Sequence, residues 1–131
     1  MKSTDIATLL LFGLVFWILG TLYYASRGHI ILETTALRYW INFIATPILS
    51  AEICFVLLRV RHIPLRSWAS ASLLIALPGI FGEVLILARF TTYMPRMLPE
   101  TAGSYGAFLF MSYGLLLAIS EAVTLRAANQ T

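Results

Sequence analysis

Three carboxylates, Glu52, Glu83 and Glu121, lie within or at the edge of long apolar runs. A carboxylate in such a run costs about 2.5–3.5 kcal/mol on insertion scales, so each needs a partner or a purpose. Glu83 has the most unusual neighbours, Leu77-Pro78-Gly79-Ile80-Phe81-Gly82. Pro78 removes a backbone donor and leaves a carbonyl free. With Asn42 and that backbone, Glu83 is expected to line a polar pocket that binds a cation, a proton or a small ligand. Arg38 can approach this site from the end of the second apolar run. Glu52 is a further candidate, in the opposite half of the membrane near Arg59, where a structural role leads. The opposing reading carries equal weight: Glu83 is neutral, or paired with an arginine, and pins one helix to another. In its neutral form it would donate a hydrogen bond to Asn42 or to a freed carbonyl. Glu121 reads as half of an interfacial pair with Arg126.

Other chemistries lack their residues. The sequence holds no phosphate-binding loop, dinucleotide glycine fingerprint or H-E-x-x-H motif. His29 and His62 are expected in loops on opposite sides of a membrane, where they cannot share a metal or a haem. No histidine lies in an apolar run to activate a serine. The chain is therefore expected not to be an enzyme, with no catalytic residue, metal or cofactor. Its one cysteine, Cys54, cannot form an internal disulfide and reads as a small buried hydrophobe.

The elements that would position these groups are membrane spans. Of 131 residues, 60% are hydrophobic and 11% charged, against about 25% charged in soluble domains. A water-soluble core of this size could not hide so much apolar surface. The runs predict an all-α, integral membrane four-helix bundle, one transmembrane domain over residues 1–131, with spans near 6–24, 37–58, 68–88 and 105–125. The first run is too long for a signal-peptide core and lacks a good cleavage site. Asn42, Thr46 and Ser50 form a polar stripe, and Ser72, Ala76, Gly79 and Glu83 share one helical face. Gly114, Ala118 and Ala122 form a small-residue ridge expected at a helix–helix contact. Trp17, Trp40, Trp68 and Tyr105 read as interface anchors or lipid-facing fill.

All nine cations flank apolar runs, so the net charge of +3 marks topology and not nucleic-acid binding. Arg59, Arg61 and Arg66 crowd one short loop. That density places this loop and both termini in the cytoplasm, against a thin margin in the total count.

Phe12-Gly13, Trp17-Ile18-Leu19-Gly20-Thr21, Leu77-Pro78-Gly79 with Glu83, Met94-Pro95 and the run Tyr105 to Gly114 resemble a family of small four-helix bacterial membrane proteins of unknown function. The resemblance runs from about Leu9 to Glu121. It differs at Glu83, where the family favours Asp, and at Arg96, where it favours Asn. It implies a bundle in the bacterial cytoplasmic membrane and supplies no activity. Small multidrug transporters are a functional analogy only, because their glutamate sits in the first span, which is uncharged here.

The expected function is binding or transport of a small ligand, cation or proton around Glu83. The alternative is a non-catalytic accessory subunit of a larger membrane complex. The expected partners are the lipid bilayer and a second copy or a larger complex.

Overall fold

The computed structural model describes residues 1–130. Its elements are α1 (Ser3–Glu33), α2 (Ala36–Val60), α3 (Trp68–Ala88), the single turn α4 (Phe90–Tyr93) and α5 (Ala102–Asn129). Short 3-10 turns, Leu65–Ser67 and Pro99–Thr101, lead into α3 and α5. No strand forms among the described residues. Four helical segments are long and apolar enough to cross a membrane. The expected four-helix, all-α architecture is thus present.

The first helix is longer than its apolar run. At 31 residues it reaches about 46 Å, beyond the ~30 Å of a hydrocarbon core. Arg27-Gly28-His29, expected to begin a loop, instead continues the helix, which runs on to Glu33. Pro47 and Pro78 also lie inside unbroken helices. Each removes a ladder donor, leaving the carbonyls of Phe43 and Leu74 without that bond.

The outside of the bundle is apolar. Leu11, Leu22, Ile44, Val56, Phe81, Val84 and Phe110 are all exposed. The inside is small and partly polar, with Ser72, Ser120, Asn42 and Glu83 buried. Lipid rewards no hydrophobic burial, so close packing and hydrogen bonds must hold such helices together. Gly13 brings α1 against α3: a Cβ there would overlap the Ile75 backbone. Ser120 Oγ donates to Ser72 Oγ at 2.6 Å and joins α5 to α3. The main contacts run α1 to α3, α3 to α5 and α5 to α2, while α1 and α2 touch sparsely.

Hydrogen bonds define two ends. At one, Arg61 Nη2 pairs with Asp5 Oδ1 at 2.8 Å, and Thr124 Oγ1 accepts from Ala69 N at 2.9 Å. The N-terminus, the arginine-rich loop and the end of α5 therefore share one face of the bundle. At the other, Glu33 Oε2 accepts from Leu98 N at 2.6 Å and from the Thr101 hydroxyl, and Arg96 Nη1 donates to Ser26 O at 3.1 Å. His29 belongs to this second end and His62 to the first, so the two histidines are far apart as expected. The segment after α3 is no loose loop: Phe90, Met94 and Met97 are buried in a cluster with Tyr24, Ile86, Tyr105 and Phe108.

Helix α2 ends in a Schellman motif. His62 N donates to Arg59 O and Ile63 N to Leu58 O, both at 3.0 Å. His62 takes the left-handed position, φ 55°, and Ile63 and Leu58 pack in the same core cluster.

Candidate functional site

The site begins with two glycines on α3. A Cβ at Gly82 would overlap the Trp17 ring, and one at Gly79 would overlap the Tyr113 hydroxyl. Without side chains there, α3 presents a notch one turn long. The Trp17 indole from α1 lies in it. Its Nε1 donates to Glu83 Oε1 at 2.8 Å. Trp17 is therefore the intramembrane partner of Glu83, a role the hydropathy pattern gave no reason to assign. The other aromatics read as anchors also divide: Tyr105 and Trp68 are buried, with Trp68 Nε1 donating to Ile63 O at 3.1 Å, and only Trp40 is exposed.

Glu83 is only 6% exposed, as its shared face with Ser72, Ala76 and Gly79 predicts. It is neither paired with an arginine nor bonded to Asn42. Its second oxygen, Oε2, is buried without a hydrogen-bond partner. Asn42, 9% exposed, is held from α1 and from its own helix: its Oδ1 accepts from Tyr24 Oη at 2.7 Å and from Thr46 Oγ1 at 2.9 Å. That leaves Asn42 Nδ2 buried and unpartnered, as is Thr21 Oγ1 on α1. An unpaired buried polar group costs about 1–3 kcal/mol, so three lining one space call for an explanation.

That space is a cavity of about 530 Å³ bounded by α1, α2, α3 and α5. Thr21, Asn42 and Glu83 all line it, with Thr46, Ser50 and Cys54 of α2. Ser112 of α5 adds one more hydroxyl, and the walls are otherwise apolar and aromatic. Gly20 lines it too, and a Cβ there would meet nothing. Leu19 and Tyr23 line it while 62% and 51% exposed, so the α1 wall reaches the outer surface, on a helix that touches α2 sparsely.

Two candidates are not part of this site. Glu52 is exposed, because it follows Ser50 by two residues, about 200° around the helix from the polar stripe. Arg38 is exposed in the first turn of α2, where its guanidinium donates to Thr34 Oγ1 at 3.5 Å. Glu121 is exposed and makes no ion pair with Arg126 among the described residues. No cluster of three metal-ligating side chains occurs among the described residues.

Fold and site together define a class: a multi-pass α-helical membrane protein whose spans enclose a largely apolar cavity pointed by a few polar atoms. The chain belongs to the family of unknown function DUF5367, which matches residues 30–127 and so takes in α2, α3 and most of α5. The stretch containing Trp17 and Gly20 falls before that match. No curated protein and no solved structure shows significant similarity to the chain.

Proposed function

We propose that the protein binds a small lipid-soluble molecule inside its bundle, around Glu83, and takes or releases it through the gap between α1 and α2. The observation that carries this reading is the set of unpartnered polar atoms, Thr21 Oγ1, Asn42 Nδ2 and Glu83 Oε2, lining one apolar cavity. A volume of about 530 Å³ lies in the range of small-molecule sites, about 300–1,000 Å³. Glu83 offers an acceptor and Asn42 a donor, which orient a ligand whose body fills the apolar space. The proposed role is binding, or carriage across the bacterial cytoplasmic membrane.

The test is thermal stabilisation of detergent-purified protein by a panel of lipid-soluble compounds, repeated on Gly20→Leu. Gly20 lines the cavity and a Cβ there meets nothing, so the larger side chain has open space in which to take up cavity volume. Stabilisation lost in Gly20→Leu supports the proposal. Stabilisation by no compound, or equally in both proteins, refutes it.

A second reading has its own observation. Gly114, Ala118 and Ala122 face outward, exposed and uncovered within the chain. Such a ridge suits a neighbouring membrane helix, in a second copy or in a larger complex. Native mass spectrometry showing only monomers in mild detergent would count against it.

A further inference from the structure

We propose that the ligand of this cavity is a lipophilic organic cation, an amine whose ammonium lies against Glu83 and whose apolar body lies among the aromatic rings. The proposal rests on the cavity being a binding site. It adds the chemical class. Glu83 is the one carboxylate in the lining, and no lysine, arginine or histidine faces it across the space. The neighbouring cations, Arg38 and Arg89, are exposed at the ends of α2 and α3. The charge of an ionised Glu83 therefore has no internal counter-ion, and a bound cation supplies one.

The walls favour the same class. Trp17, Tyr24, Tyr105, Phe108 and Tyr113 all line the cavity. Aromatic faces attract a desolvated cation through their quadrupoles. Trp17 is fixed by the glycine notch and by its bond to Glu83 Oε1, which leaves Oε2 for an ammonium N–H. Asn42 presents its amide NH₂, suited to an acceptor elsewhere on the same molecule. A bare metal ion is a poor match. Calcium takes about 6–8 oxygens and magnesium near-octahedral geometry, whereas one carboxylate, one amide and a few hydroxyls are spread over a mostly apolar surface.

The experiment compares two probes of one shape: a phenylbutyl dimethylammonium ion and its neutral isopropyl isostere. Each is dialysed to equilibrium against purified protein in detergent, with protein-free micelles as the blank. Wild type should bind the ammonium about tenfold or more tightly than the isostere, as expected for a charge-assisted hydrogen bond. Glu83→Gln should erase that preference while the isostere binds as before. Equal binding of both probes by wild type overturns the cationic class and leaves the cavity reading intact. Binding of neither probe, in a wild type that no lipid-soluble compound stabilises, overturns both. Should Glu83→Gln fail to fold, the wild-type preference and its loss in Gly20→Leu decide the matter.

Discussion

Gly82→Ala separates two opposing effects by sign. In an ordinary helix interior the change favours folding by about 1 kcal/mol, because glycine has the greater freedom to lose. Gly82 is buried in α3 and would gain from it on propensity alone. The added methyl, however, would overlap Trp17 Cζ2 and Cε2 and lie 2.7 Å from Cη2. The ring must leave the notch. Forced overpacking costs about 1–3 kcal/mol. A displaced Trp17 also gives up its 2.8 Å bond to Glu83, leaving a second carboxyl oxygen unpaired at about 1–3 kcal/mol. Set against the propensity gain, the net loss is about 1–5 kcal/mol. The assay is reversible unfolding in mixed micelles, followed by circular dichroism. Gly20→Ala and Gly114→Ala are the controls, since a Cβ at either meets nothing, and both should hold or gain stability. A Gly82→Ala protein as stable as those controls would refute the notch and with it the positioning of Trp17.

Glu83→Gln should keep the fold, because an amide oxygen can still accept from Trp17, whereas Glu83→Leu should leave the indole N–H unpaired and cost about 1–3 kcal/mol in the same unfolding assay. Ala118→Leu, which the sequence alone marks as an overpacking change, should leave monomer stability within about 0.5 kcal/mol because Ala118 is exposed; a large loss would show that its face is covered. His62→Gly should stabilise the protein by about 1 kcal/mol, since φ 55° suits glycine better than histidine, and an unchanged midpoint would contradict the strain assigned there. From the density of Arg59, Arg61 and Arg66 we propose that their loop faces the cytoplasm. Leu65→Cys in a Cys54→Ala background should therefore resist an impermeant thiol reagent in intact cells, and labelling would reverse the orientation.

The spans were legible because length and hydropathy alone decide them; α3 begins and ends at the residues expected, Trp68 and Ala88. The continuation of α1 was not. Ala25 to Glu33 holds two charges, a histidine and a glycine, which reads as loop, yet long-range contacts hold it helical. Gly28 packs against the Met97 side chain and Glu33 bonds Leu98 and Thr101. The inward face of α3 was legible from one carboxylate and three small residues in phase. The face of α5 was not, and for a physical reason. In water an apolar stripe must point inward, but lipid accepts either face, so the spacing of Gly114, Ala118 and Ala122 marks a ridge without saying which side it is on. Trp17 was missed for the same reason. The available signal was on the other helix, in Gly79 and Gly82 flanking the turn that ends at Glu83.

An apolar cavity of this size within a small bundle would be expected to collapse by drawing α1 onto α2, and the distribution of bonds explains why it does not. The close contact of α1 is with α3, fixed by Gly13 against the Ile75 backbone and by Trp17 in its notch. Both ends of α1 are tethered as well, by Asp5 to Arg61 and by Glu33 to the segment before α5. Moving α1 towards α2 would break its packing on α3 and pull Glu33 from its bonds to Leu98 and Thr101, while the Asp5–Arg61 pair fixes its other end beside the end of α2. Among the described residues, only the Tyr24–Asn42 side-chain hydrogen bond ties α1 directly to α2 at the cavity. That tie lies between buried groups at the lining, and among the described residues the exposed stretch at Leu19 and Tyr23 makes no side-chain hydrogen bond to α2. The same arrangement that keeps the space open thus leaves its lipid-facing side the easiest to part, where a molecule dissolved in the bilayer would first meet it.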